Sequence, residues 1–286
     1  MAGSSSDVKV ALNVSSSAFR GLPQSYSRWL GGRILGFVES LRGLLAFALI
    51  TLGVMISKRR KSTQVIHPLI WEQVIRSGVA LLPILLFLSC ALGLVIIGQT
   101  VTLTNRVGAQ GYLGGVMVSV VVRELGPLLA ALVVLIRTGT ATVIELGTAR
   151  SSREVEALEA IGIDPIHYLV VPRLLGMSLG VFCLTVYGIL AALVSGYLWA
   201  FVQEIPILPG AYFSQLAAAL HPLDFLALGI KSICLGLLIA LVSCYHGLAH
   251  PLRVEDLPNA AMKALSQGVV LCVVVDALFL ILYLIL

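Results

Sequence analysis

Charge is what this sequence has least of. Lys, Arg, Asp and Glu together make up 12% of its 286 residues, while 58% are hydrophobic and the mean hydropathy is +1.01. A soluble domain carries roughly 25% charged residues, so this composition excludes one and points to an integral membrane protein. No G-x-x-x-x-G-K-[ST] run occurs anywhere, so any ATP hydrolysis linked to this chain belongs to another polypeptide. The five cysteines (Cys90, Cys183, Cys234, Cys244, Cys272) lie in or beside apolar runs, and no pair has metal-ligand spacing. They read as small hydrophobes, and no metal site is expected. The five histidines (His67, His167, His221, His246, His250) fall near expected interfaces, where an amphipathic ring is ordinary. The N-terminal stretch lacks the order of basic region, apolar region and small-residue cleavage site that marks a secretory signal. Residues 1–28 therefore read as a polar, partly disordered tail. No Pro- or Ser-rich linker and no internal repeat divides the rest.

The net charge is +5. The positive residues cluster beside apolar runs, which is the pattern of topology control rather than of nucleic-acid binding. A spanning helix needs about 20 apolar residues. Five runs qualify, at about 78–103, 112–137, 167–202, 224–246 and 264–286. A shorter run, GLLAFALITLGVMI at 43–56, has Arg42 before it and Lys58, Arg59, Arg60 and Lys61 after it. Its length and doubly basic flanks predict an interfacial or re-entrant helix that does not cross. The segment HPLIWEQVIRSG then reads as an interfacial elbow anchored by Trp71. The loops alternate between basic and base-poor, and loop 203–223 holds no Lys or Arg at all. The expectation is an all-α integral membrane protein with one N-terminal interfacial or re-entrant helix and five transmembrane helices, N-terminus in and C-terminus out. Its parts are a tail at 1–28, a helix and elbow at 29–77, and a five-helix domain at 78–286.

Four ionisable residues fall inside these spans. Glu124 is expected near the middle of the second and Asp276 near the middle of the fifth. Lys231 lies about seven residues into the fourth, and Arg123 adjoins Glu124. Each costs roughly 2.5–3.5 kcal/mol if left facing lipid. They are therefore expected to face inward, where they either tie helices together or line a polar cavity for a head group or a proton. Gly126 and Pro127 follow one turn later and predict a kink that opens space beside Glu124.

Residues 145–165, ELGTARSSREVEALEAIGIDP, are too polar to span. Ser151 and Glu154 match an S-x-x-E capping box, and Gly162 and Pro165 are stop signals. Val155, Leu158 and Ile161 recur at helical spacing, with Glu154, Glu156 and Glu159 on other faces. This predicts a short helix over 151–162 whose apolar stripe (Val155, Leu158, Ile161) suits a groove on a partner.

RELGPLLAAL, R-T-G-T-A, ELGTAR and EALEAIGIDPIHYLVVPR together resemble the signature of MlaE-family permeases. These are the membrane subunits of ABC transporters that work with MCE-domain proteins. The resemblance covers about 30–286 and is strongest over 121–173. It implies a permease homodimer in the bacterial inner membrane, two ABC ATPase subunits on the cytoplasmic side and a periplasmic MCE-domain protein. The substrate would be phospholipid, moved between the inner membrane and the MCE protein to maintain outer-membrane lipid asymmetry. The chain would be a transport subunit and not an enzyme, with ATP and Mg held by the partner ATPase and no cofactor of its own. The family's coupling helix falls on 151–162, giving ATPase-coupling roles to Ser151, Glu154, Val155, Leu158, Glu159 and Ile161. Its intramembrane polar positions fall on Arg123, Glu124, Lys231 and Asp276. Two other classes fit the residues themselves: a proton-coupled carrier using the mid-membrane acids, and a non-transporting anchor for an MCE protein. Dependence on a separate ATPase distinguishes the first reading from both.

Overall fold

The structure, a computed structural model, describes residues 24–57, 63–107, 113–202, 209–249 and 253–285. The basic flank at 58–61 and most of the 1–28 tail lie outside the described residues. Two compact units result, Met1–Ala46 and Phe47–Leu286, and the second holds every site discussed below.

Among the described residues all regular structure is helical. An apolar chain in lipid must satisfy its backbone N–H and C=O groups internally, and the helix does so within one segment. Helix α1 runs Gln24–Ser57 without a break. The 43–56 run is thus part of a 34-residue helix, roughly 51 Å long at 1.5 Å per residue, and contains no re-entrant turn. Its stretch Glu39–Ile56 is long and apolar enough to cross. So are Ile66–Thr100, Gly115–Ser151, Ile166–Trp199, Pro222–Leu248 and Val254–Tyr283, which makes six such segments among the described residues where five were expected. Counting apolar residues alone truncated the first, because the helix continues through the polar ESLR at its start.

Helix α2, Thr63–Ser77, covers most of the segment read as an elbow and leaves Trp71 62% exposed. A short 3-10 turn, Val79–Leu81, leads into α3, Leu82–Val107. Next comes a rod that changes helical type along its length. It comprises α4 (Leu113–Met117), a π segment (Val118–Leu125), α5 (Gly126–Val134), a second π segment (Leu135–Gly139) and α6 (Thr140–Ser151). Proline explains the first change. Pro127 cannot donate a hydrogen bond, and its ring would clash with the carbonyl four residues back. The chain widens just before it, and Gly126 donates five residues back to Val121 O. The same device recurs at Ile166–Val170, ahead of Pro172. The Gly126-Pro127 pair therefore marks a join between π and α geometry.

The second expected span, 112–137, continues as helix to Ser151. Glu124 is consequently nine residues from Gly115 and well short of the rod's centre. Polarity in RTGTATVIELGTARS does not end the helix, because Thr140, Thr142 and Thr148 each bond a carbonyl four residues back and Glu145 is ion-paired.

Helix α7, Glu154–Ala160, is the expected polar helix but only seven residues long. The capping box is absent. Ser151 is the last residue of α6 and its hydroxyl bonds Thr148 O, while Arg153 turns the chain at φ 60°. The stop is as expected. Gly162 adopts φ +80°, its N–H bonds Glu159 O at 2.9 Å, and the Ile163 N–H bonds Leu158 O at 3.0 Å. This pair of bonds is the Schellman closure that favours glycine.

Helix α8, Val171–Val202, packs against α2, α3, α5 and α10 (Pro222–Leu248). Helix α9, Pro209–Ala219, precedes α10, and α11, Leu257–Ile285, ends the described chain. The main core comprises Leu85, Ala130, Ala131, Leu135, Met177, Leu184, Leu235, Ile239 and their neighbours. Small residues bring the helices this close. A Cβ on Gly236 would sit 2.5 Å from the Cα of Ser178, so only glycine permits the α8–α10 crossing. Large apolar side chains such as Phe87, Leu190, Leu278 and Ile285 point outward, the surface that lipid requires.

Candidate functional site

Three elements contribute charge to one place: the first π segment, the start of α10 and the end of α11. Lys231 on α10 is 4% exposed. Its ammonium lies 2.8 Å from the backbone O of Arg123, 2.9 Å from Glu124 Oε2 and 2.8 Å from Asp276 Oδ1. An ammonium has three protons; two of them are hydrogen-bonded, to Arg123 O and Glu124 Oε2, while Asp276 Oδ1 lies in ion-pair range and accepts no hydrogen bond among the described residues. Two carboxylates share that single cation.

Arg123 does something different. Its guanidinium lies 3.0 and 3.1 Å from the two carboxylate oxygens of Asp224, and its Cζ sits 4.0 Å from the centroid of the Tyr283 ring. The Tyr283 hydroxyl in turn donates to Asp224 Oδ1 at 2.7 Å. Asp224 is 3% exposed and also accepts the His221 backbone N–H at 2.9 Å, closing the first turn of α10. The Arg123 Nε is buried and has no hydrogen-bond partner among the described residues.

The arrangement has two layers. Asp224 and Lys231 are seven residues apart on α10, and Asp276 and Tyr283 are seven apart on α11. Seven residues are two helical turns, roughly 10 Å, and keep both side chains on one face. The adjacent pair Arg123–Glu124 feeds one residue to each layer. Arg123 joins Asp224 and Tyr283, and Glu124 joins Lys231 and Asp276. Beside both layers is an open recess with about 370 Å³ of space between atoms, lined also by Val122, Leu228 and Phe279.

All four intramembrane residues read from the sequence are thus brought together. Asp224 and Tyr283 escaped that reading. Asp224 stood at the first position of the 224–246 apolar run and was not counted among its intramembrane charges. Its signal was the His-Pro-x-Asp order at 221–224, with an acid three residues after the cap, together with the seven-residue spacing to Lys231. Its inclusion changes the charge balance. The four residues sum to zero, whereas the full network has two cations and three carboxylates.

A second cluster ties the opposite end. Glu145 on α6 accepts hydrogen bonds from Arg76 on α2 and lies 3.3 Å from Arg173 on α8. Glu124 and Glu145 are 21 residues apart on one rod, roughly 30 Å, which is about the thickness of a bilayer core. The expected coupling residues lie just beyond Glu145. Val155 packs on the main core and Leu158 is half-buried, whereas Glu154, Glu159 and Ile161 are exposed, Ile161 at 70%. Ser151 remains within α6. Between the two clusters, Arg137 is exposed near the middle of the rod, on a face with Ile136 and Ile144, and has no ion pair among the described residues.

The family description "Permease MlaE" matches residues 70–282. The chain is 30% identical over 206 residues to a probable ABC transporter permease protein of Rickettsia prowazekii, covering 72% of this chain and 79% of the relative. It is 28% identical over 245 residues to one from Rickettsia felis, covering 86% and 92%. It is 33% identical over 181 residues to the chloroplastic protein TRIGALACTOSYLDIACYLGLYCEROL 1 of Arabidopsis thaliana, covering 62% of this chain and 50% of that one.

Proposed function

The chain belongs to the MlaE permease family and is a multi-pass ABC transporter permease subunit, and on that premise we propose that its cargo is phospholipid. The observation that carries the reading is the recess beside Arg123. A guanidinium with an unpartnered, buried Nε stands at its wall, and the apolar Val122, Ala227, Leu228 and Phe279 line it beside the charged network. That pairing of cation and apolar surface matches the two ends of a phospholipid. The name of the Arabidopsis relative contains a diacylglycerol lipid, which supports a cargo with acyl tails.

The work divides between the two layers. Lys231, Glu124 and Asp276 hold the helices and fix the backbone at Arg123. Arg123, 24% exposed at its side chain, meets the phosphate, while the tails lie along the outward apolar faces of the bundle. ATP and Mg belong to a partner ATPase docked on α7 and its flanks, where Ile161 presents an exposed apolar contact beside Glu154, Val155, Leu158 and Glu159. Ser151, at the end of α6, is the hinge side of that contact. The functional unit is a homodimer in a bacterial inner membrane, with a periplasmic MCE-domain protein receiving or delivering the lipid. Arg137 supports the dimer. An arginine facing lipid near a helix centre costs roughly 2.5–3.5 kcal/mol, and a second copy enclosing a wet seam along Ile136, Arg137 and Ile144 removes that cost.

Gentle purification of the tagged protein from its native membrane, followed by mass spectrometry of proteins and lipids, tests this reading. An ATPase, an MCE-domain protein and bound phospholipid are expected. A lone chain without lipid overturns it.

A further inference from the structure

The geometry points to Asp224 and Tyr283 as an internal lock that occupies Arg123 and is displaced by the phosphate of an incoming lipid. This rests on the phospholipid reading above and adds the group that regulates access to that site.

Three observations carry it. First, Arg123 is the cation that can change partners. Lys231 is buried and already meets three oxygens, whereas Arg123 meets one carboxylate through Nη2 and leaves Nε unpartnered. A guanidinium presents five donors in a planar fork suited to two oxygens at once, and a phosphate offers that geometry. Second, the groups holding Arg123 have other anchors to fall back on. Asp224 accepts the His221 backbone N–H, so it keeps its place at the first turn of α10 when Arg123 leaves. Tyr283 is 40% exposed and sits two residues from the end of α11, where few neighbours restrain it. Third, the lock lies over the recess that the ligand must enter, since Asp224, Tyr283 and Arg123 all line it.

Asp224 imitates the ligand. Its carboxylate contacts the guanidinium through both oxygens, and the Tyr283 ring covers one face of the cation. A phosphate entering the recess competes with Asp224 for Nη2 and also reaches the unpartnered Nε. When it wins, the Tyr283–Asp224 hydrogen bond loses the cation that aligned it, and the end of α11 is released from α10. A lipid without phosphate cannot make that exchange.

Binding to the complex isolated from its own membrane tests the lock. The probes are fluorescent phosphatidylglycerol, fluorescent diacylglycerol and free glycerol phosphate as a competitor. Tyr283→Phe keeps the ring over Arg123 and removes only the hydroxyl. It is expected to tighten phosphatidylglycerol about tenfold to a hundredfold, the worth of one hydrogen bond to a charged group, and to leave diacylglycerol unchanged. Asp224→Asn, which retains an oxygen for the His221 N–H, is expected to act in the same direction. Neither change should matter in an Arg123→Gln background. Equal binding of phosphatidylglycerol by wild type and Tyr283→Phe overturns the lock while leaving the phospholipid reading intact. A parallel shift for diacylglycerol also overturns it, because Tyr283 would then be lining the tail path. Failure of the wild type to bind either lipid sinks the phospholipid reading and the lock with it. Competition by glycerol phosphate as strong as that by the lipid keeps the lock and identifies its key as the phosphate group alone.

Discussion

Lys231→Met removes a buried cation while preserving side-chain length, and its consequences follow from the layer of Lys231, Glu124 and Asp276. Lys231 is 4% exposed and is the shared partner of Glu124 and Asp276 at 2.9 and 2.8 Å. Removing one member of a buried ion pair costs about 3–5 kcal/mol, because the remaining charge is left without compensation. Here two carboxylates are left facing each other. Against that, the Glu124 side chain is 26% exposed through the recess, so water relieves part of the cost, and we expect the lower part of the range, about 3 kcal/mol. For a chain of this size that corresponds to a fall in apparent midpoint of about 10 °C. Heat-induced unfolding of the detergent-solubilised protein, at one fixed scan rate, reads it. The deciding comparison is the triple variant Lys231→Met, Glu124→Gln, Asp276→Asn. Neutralising the whole layer removes the orphaned charges, and buried ion clusters replaced together are often near neutral in stability. The triple variant should regain most of the lost midpoint yet still fail to transport. A single variant as stable as wild type would show that Lys231 reaches water. A triple variant as unstable as the single one would show that packing sets the loss, and either result refutes the ionic account.

Four further outcomes are expected. Gly236→Val should prevent accumulation of folded protein, because its Cβ would meet the backbone of Ser178 and overpacking costs roughly 1–3 kcal/mol even where neighbours can shift; expression followed by size-exclusion chromatography reads it. Ile161→Asp should lose co-purification of the ATPase with no change in unfolding temperature, since the side chain is 70% exposed; retained ATPase would place the contact elsewhere. Glu145→Gln should change the midpoint little, because half-exposed ion pairs are worth about 0–1 kcal/mol, but should lower transport relative to ATP hydrolysis if the Arg76–Glu145–Arg173 cluster links the loop to the bundle. Ile144→Cys should give an oxidation-dependent dimer band in membranes if the Arg137 face meets a second copy; a monomer band only would remove Arg137 from the interface.

Much of this architecture was legible because lipid imposes simple rules. Long apolar runs located the helices, and charge in those runs picked out Arg123, Glu124, Lys231 and Asp276, all of which meet. The failures share one cause, which is that hydropathy marks where a helix is apolar and not where it ends. The first helix extends past its 43–56 run, and the second continues through threonines that bond their own backbone. Asp224 stood at such a boundary, as the first residue of the 224–246 run, and was not counted as intramembrane although it is the third residue of α10. The capping box failed for a related reason. Ser151 and Glu154 have the right spacing, but the preceding helix keeps Ser151, and the turn is made by Arg153 at φ 60°. No propensity rule favours arginine in that conformation. Two of the three π segments were legible only as prolines, Pro127 and Pro172, since a sequence shows the missing N–H and not the way the chain accommodates it, and Leu135–Gly139 carries no such mark.

The cost of charge in lipid decides between two uses that the sequence left open, helix-tying pairs and a ligand site. Five ionised groups left facing lipid would cost roughly 12–18 kcal/mol at 2.5–3.5 kcal/mol each, which matches or exceeds the whole stability of a typical domain. The bundle therefore cannot form first and acquire its charges afterwards, and the network is part of what holds it. That requirement falls unevenly on the two layers. Lys231 satisfies it most fully, with two hydrogen bonds, a carboxylate oxygen at 2.8 Å and almost no exposure, and a group so placed has little left to offer a ligand. Arg123 satisfies it only in part. One carboxylate and one aromatic face hold it, and one buried nitrogen is unpartnered. On the proposed function, the tying role falls to Lys231 of α10 with Glu124, and the binding role to Arg123, the neighbour of Glu124 in the first π segment. The partner contributed by Asp224 lets Arg123 remain charged inside the membrane until a phosphate takes its place.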